Sequence, residues 1–231
     1  MQFSRRSLLG VGVVAAATGI ADARHLLGTD LVSIAPQALA QTPSAPPLAA
    51  DDPRMAPRGL GKTDAPVRVD EWFSLTCPHC AAFSQQTFPQ VQSDLINTGK
   101  LYFVFNDFPL DQVALTAAMV ARSLPPERYE PFCAALFASQ DRWAFARGVN
   151  STEELAKMAA LAGMPREQFD KVIADTSLRN AILQRQADAS KNLNIDSTPT
   201  FIFNGSVEKN HSESGERNYD EFAKLVAQAA A

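Results

Sequence analysis

The sequence predicts an α/β fold in which a block of helices interrupts a single sheet, and three observations predict it. A strand-like run from Val67 to Ser74 and an apolar, aromatic run from Leu101 to Asp107 flank a helical stretch, which makes a βαβ unit. Residues 111–194 then carry helical periodicity alone. A further strand pair and a closing helix follow Thr198-Pro199. The βαβ unit requires parallel strands joined by a right-handed crossover. Helices lying between two halves of one sheet read as an insertion rather than as a separate sequential domain. The domain is therefore expected over 61–110 plus 195–231, with 111–194 as the helical insertion. At 231 residues, 46% apolar and 20% charged, the chain can bury a core without disulfide staples.

Residues 1–40 are expected to be an export signal. Ser4-Arg5-Arg6-Ser7-Leu8-Leu9 sets paired arginines ahead of an uncharged stretch, Leu8 to Ala21. That stretch is too short, and too rich in Gly, Ala and Thr, to span a bilayer as a helix. Ala38-Leu39-Ala40 offers small residues for cleavage before Gln41. The motif is similar to a twin-arginine signal, which carries folded cargo, with an ordinary secretory signal as the alternative. Either route predicts a soluble protein in the periplasm. Residues 41–60 hold Pro43, Pro46, Pro47, Pro53 and Pro57 and are expected to form a flexible or extended linker.

In the first strand Val67, Val69, Glu71 and Phe73 share one face, which places a carboxylate among apolar neighbours. Cys77-Pro78 opens a helix expected to run to about Thr98, end at Gly99 and kink at Pro89. Val113, Ala117, Val120 and Leu124 mark the first inserted helix, and Pro125-Pro126 breaks it. Ser151 with Glu154 predicts a capping box before Leu155 and Met158, and Gly163 a stop. Pro165 starts a helix with Phe169, Val172 and Ile173 inward, and Leu178, Ile182 and Leu193 belong to a longer one. Thr200 to Asn204 reads as a strand, followed by a turn at Asn204-Gly205 and a second strand. The polar stretch from Glu208 to Gly215 has no clear pattern, and Asn218 to Ala231 is an amphipathic helix with Phe222, Leu225 and Val226.

The net charge of −4, with no long basic run, argues against nucleic acid or a polybasic membrane contact. Of three cysteines, Cys77 and Cys80 sit three residues apart and Cys133 is alone. A structural disulfide framework would use more of them, spread further along the chain. Cys77-Pro78-His79-Cys80 falls where a strand hands over to a helix. The nucleophile in thiol–disulfide exchange is the thiolate. Unpaired amides and the positive end of the helix dipole favour an anion on Cys77, and an imidazole at His79 favours it further. Cys80, one turn on and more enclosed, can close a disulfide with it. Each unit of pKa depression corresponds to about 1.4 kcal/mol in favour of the ionised, reduced state, or ~30 mV of potential. A shift of several units would make the pair an oxidant. A zinc half-site would need two further ligands, for which only Cys133, His211 and carboxylates at unrelated spacing are on offer. A purely structural bridge over so small a loop would gain little loop entropy.

The stretch Glu71-Trp72-Phe73-Ser74-Leu75-Thr76-Cys77-Pro78-His79-Cys80 resembles the DsbA group of periplasmic disulfide oxidoreductases in the thioredoxin superfamily. The resemblance covers about residues 60–230 and implies a thioredoxin fold with an inserted all-helical subdomain. It implies that Cys77 is the solvent-facing nucleophile and Cys80 its partner. Thr198-Pro199 would be the loop whose cis proline faces the disulfide and whose backbone pairs with an extended substrate segment. Glu71 would be a buried acid relaying protons to or from Cys80, its pKa raised by burial. The redox group would be the Cys77–Cys80 disulfide itself, with no further cofactor and no metal. The implied substrates are exported proteins with free cysteines, and the implied reoxidant is a membrane quinone-linked partner. The short segment ahead of the fold favours a monomeric oxidase. A disulfide isomerase or reductase stays open, since isomerases of the superfamily also carry threonine before the proline, and so does a non-catalytic binding module. Cys133, in the apolar helix Tyr129 to Phe137, is expected to be an inert core residue. Trp72 and Trp143 are expected in the core, and His211 in a solvated loop.

Overall fold

Among the described residues five strands form one sheet, in the spatial order β1 (Arg58–Leu60), β3 (Leu101–Asp107), β2 (Val67–Phe73), β4 (Thr200–Asn204) and β5 (His211–Ser214). The computed structural model describes residues 46–207 and 209–230, all within the unit Pro43–Ala231. The expected export signal, its arginine pair and the cut before Gln41 lie outside the described residues. At the centre β2 (Val67–Phe73) runs parallel to β3 (Leu101–Asp107), with Glu71 opposite Phe105. On its other side β2 pairs antiparallel with β4 (Thr200–Asn204). Antiparallel edge strands complete the mixed sheet, β1 (Arg58–Leu60) against β3 and β5 (His211–Ser214) against β4.

Both edge strands correct the sequence reading. Part of the segment expected as a linker is built into the fold. Leu48 and Met55 pack against the core, and Asp52 caps a short 3-10 turn, Pro53–Met55, by accepting from the Arg54 amide at 2.9 Å. Residues 58–60 contain no proline, so their backbone can pair with the open edge of β3, which a count of prolines over 41–60 hides. At the other edge, the second strand is the polar stretch His211–Ser214, placed by pairing with β4 rather than by apolar alternation. His211 therefore sits in a strand, 3.0 Å from Glu213 Oε1, and not in a loop. Gly205 follows β4 where a Cβ would collide with the Ala229 carbonyl oxygen of α9 (Tyr219–Ala230).

The helix after Cys77 is continuous from residue 78 to 96 but changes winding. α1 (Pro78–Ala82) and α2 (Phe88–Val91) alternate with π-helical turns Phe83–Thr87 and Gln92–Ile96. Pro89 has no amide hydrogen to donate, and π-helical turns flank it at the position where the sequence predicts a kink.

The inserted block comprises α3 (Gln112–Arg122), α4 (Pro126–Phe137), α5 (Gln140–Trp143), α6 (Ser151–Leu161), α7 (Arg166–Ile173) and α8 (Thr176–Leu193). Asp111 caps α3 through the Ala114 amide at 2.8 Å. The expected Ser151–Glu154 box does not form. Asn150, one residue earlier and as good a cap as serine, accepts from the Thr152 amide at 3.0 Å, while Glu154 pairs with Lys157. One buried cluster joins the aromatic side chains of the sheet and its helices (Phe83, Phe103, Phe201, Phe222) to Tyr129, Leu136 and Trp143 of the insertion. Inside it Arg122, wholly buried, pairs with Asp107, which also accepts from the Tyr129 hydroxyl at 3.0 Å.

Candidate active site

The chain leaves β2 through Ser74-Leu75-Thr76 and presents Cys77 as the extended residue (φ −81°, ψ 121°) immediately before α1. Pro78 takes the first helical position, where its missing amide hydrogen has no intrahelical partner to lose. Cys80 lies one turn on and is fully buried, Cys77 is 5% exposed, and the two are unbridged. The bond between Thr198 and Pro199 is cis, and the Thr198 carbonyl oxygen sits 3.2 Å from Cys77 Sγ, so residues 121 positions apart meet at one sulfur.

Around that sulfur the donors are arranged for an anion. The Cys77 thiol is lowered from an ordinary 9.0 to about 5. The largest cause is a hydrogen bond from the Cys80 thiol. Burial opposes it, and the Thr198 hydroxyl and the Cys80 and His79 amides add to it. The Thr198 hydroxyl is buried and lacks any partner at hydrogen-bonding geometry, so its help to the sulfur anion comes from its proximity. Cys80 moves the other way, its thiol pushed well up by burial and by its bond to Cys77. His79 stands exposed at the rim, 3.0 Å from Glu216 Oε2, and that carboxylate raises the imidazole pKa. Glu71 lies beneath, 4% exposed, its carboxyl pushed up to about 8 by burial and then by the Cys77 anion. Pro78, His79, Glu71, Thr198 and Pro199 are thus all gathered around Cys77 and Cys80.

Sequence reasoning missed the residues that fix the loop. The Gln140 side-chain amide donates to the carbonyls of Leu75 at 2.8 Å and Cys77 at 3.1 Å. Thr76 Oγ1 donates to Asp111 Oδ2 at 2.6 Å, and the Leu110 amide to Ser74 Oγ at 3.3 Å. Only a glutamine at the end of an apolar stretch hints at this, and it names no partner.

A model of the family described as Thioredoxin matches residues 55–227. The chain belongs to the thioredoxin family. Within that family it is similar to the crystal structure of α-DsbA1 from Wolbachia pipientis, at 29% identity and a TM-score of 0.70, covering 76% of this chain and 92% of that one. The disulfide bond formation protein D of Bacillus subtilis is 27% identical over 178 residues, 72% of this chain and 74% of the relative. A Rickettsia prowazekii protein whose given name includes protein-disulfide oxidoreductase is 29% identical over 154 residues, and this chain spans only 56% of its length. The thioredoxin-type fold with an inserted helical subdomain is thus shared with DsbA proteins.

Other residues of this thioredoxin-family chain stand apart from the sulfur pair. Cys133 is buried and its thiol pushed well up by burial. Trp143 is core and donates to the Leu136 carbonyl at 2.8 Å. Trp72 is buried in a second, smaller cluster with Phe108 and Ile202. Among the described residues no helix is long and apolar enough to cross a membrane, and no cluster of three or more His, Cys, Asp or Glu could hold a metal ion.

Proposed function

We propose that this chain is a thiol:disulfide oxidoreductase acting as a dithiol oxidase that introduces disulfide bonds into exported proteins. One observation carries the reading: the split between Cys77, an anion at neutral pH, and Cys80, held as a thiol. A substrate thiolate attacks Cys77 Sγ of the oxidised pair, the Cys77–Cys80 bond breaks, and the electron pair leaves on Cys80. Glu71, a neutral acid at pH 7, gives its proton to that sulfur. A second substrate thiolate then attacks the substrate sulfur of the mixed disulfide and expels Cys77, whose low pKa makes it a good leaving group. The substrate leaves oxidised and the enzyme holds two electrons more.

The names of the relatives, α-DsbA1 and disulfide bond formation protein D, support this chemistry. The cis-proline loop beside Cys77 suits an extended substrate segment pairing with its backbone. The redox group is the Cys77–Cys80 disulfide. The reading includes export through residues 1–40 to the periplasm, action as a monomer and reoxidation by a membrane quinone-linked partner. The test is the redox potential, measured by equilibration with glutathione beside peptide-oxidation and insulin-reduction assays. A potential well above that of thioredoxin with rapid peptide oxidation is expected. A potential near thioredoxin's would assign the chain to the isomerases or reductases instead, and full biological activity in Cys77→Ala would make it a binding module.

A further inference from the structure

With Glu71 as the proton relay, the reading on which this inference rests, a physical question arises: how does a carboxyl 4% exposed exchange protons with water? Among the described residues it has no hydrogen-bond partner. It faces a cavity of about 10 Å³, whose polar lining is Glu71, Ser84, Glu130 and Cys133 and whose remaining walls are Phe and Ala. That is room for about one water molecule. Glu130, half-buried on α4, also lines a second opening of about 80 Å³ between β1 and α4, bounded by Pro57, Arg58 and Tyr129. It too lacks a hydrogen-bond or ion-pair partner among the described residues. One side chain of the insertion therefore borders both the space under the active site and a groove leading outward.

We propose that Glu130 is the outer station of the proton path, passing protons between bulk water and Glu71 across a single cavity water. When Glu71 has given its proton to the Cys80 thiolate, Glu130 returns one to it through the water and is itself reprotonated from solvent. Reoxidation runs the same transfers backwards, and only S–H and O–H bonds change. The groups facing Glu130 are Glu71 from β2, Arg58 from β1, and Tyr129 and Cys133 from its own helix. Burial raises the Glu130 carboxyl, in the same direction as Glu71, which narrows the energetic step for a proton passing between the two acids. Cys133, its thiol pushed well up, stays protonated and takes no part.

The experiment follows reduction of the oxidised full-length protein by dithiothreitol in stopped flow, over a pH series in H2O and D2O. Glu130→Gln, Glu130→Asp and Glu71→Gln are compared with the parent. Glu130→Gln is expected to slow reduction near neutral pH by about 10-fold, below the full range for general acid catalysis because it acts through Glu71. It should enlarge the D2O effect and leave the Cys77 titration where it was, with Glu130→Asp recovering part of the rate. A parental rate in Glu130→Gln while Glu71→Gln is slow overturns the assignment and spares the Glu71 reading. A parental rate in Glu71→Gln removes that reading, and this one with it. Slowing that comes with a shifted Cys77 titration marks a structural role and overturns the assignment as well.

Discussion

Replacing Cys80 by alanine removes the largest of the hydrogen bonds that hold Cys77 as an anion, and its effect can be worked through. Cys77 titrates at about 5 against an ordinary 9.0. Its pKa is lower in the folded protein, so the stabilisation of the reduced state is whole above about 9 and vanishes as pH falls through 5. At pH 7 roughly two of the four units count, about 2.7 kcal/mol, which lifts the disulfide potential by about 60 mV. A hydrogen bond to a charged acceptor is worth about 1.5–3 kcal/mol, or about 1–2 pKa units. Cys80→Ala should therefore move the Cys77 midpoint from about 5 to roughly 6–7, since the Thr198 hydroxyl and two amides remain. Ultraviolet absorbance of the thiolate, followed from acid to alkaline pH on the reduced proteins, reads both midpoints, and circular dichroism checks the fold. A midpoint that stays put on removing Cys80, or a parental one near 9, would refute the reasoning.

Three further outcomes are expected. Gln140→Ala leaves the buried Leu75 carbonyl unpaired and the Cys77 carbonyl with the Ala81 amide alone, which costs about 1–3 kcal/mol, a fall in Tm of several degrees by calorimetry; an unchanged Tm would mean the clamp is slack. Asp107→Asn strands the fully buried Arg122 guanidinium without its counter-charge, and urea unfolding should show about 3–5 kcal/mol lost, whereas a loss under 1 kcal/mol would argue that water reaches the pair. Glu216 raises the His79 imidazole, so the benefit of the pair is present below the ordinary value and lost as pH rises through the raised one. Glu216→Gln should bring the imidazole midpoint down in proton NMR, and added salt should do the same to the parent, because the pair is exposed. Equal midpoints in the two proteins would count against the contact.

What was legible in the sequence is what depends on neighbours along the chain. The β2 alternation, the Cys77-Pro78 helix start and the break at Pro125-Pro126 are local steric and solvation facts, and they appear where expected. The edge strands are different. Arg58–Leu60 and His211–Ser214 pair because β3 and β4 offer open edges, and nothing in three or four residues announces that. Asn150 and Ser151 are adjacent caps of similar strength, so a one-residue shift costs little and the pattern cannot choose between them. Thr198-Pro199 could be matched to Cys77 only through resemblance to a family, since 121 positions separate them.

The same distinction bears on how the active site works. Cys77 is held from two directions: the cis-proline loop places Thr198 against its sulfur, while Gln140 and, through Thr76, Asp111 hold the backbone that carries it. Both of the latter belong to the insertion or its first cap, so the helical block is part of the apparatus that sets the sulfur's position. The anion at Cys77 depends on several donors at once, and hydrogen bonds weaken steeply with misalignment. A packing change within the insertion, remote from any sulfur, should therefore reach the Cys77 pKa through Gln140. A block that only covered the sheet would lower stability and leave that titration alone. Measuring both the Tm and the Cys77 midpoint in Gln140→Ala separates the two, and the carbonyl clamp requires that both move.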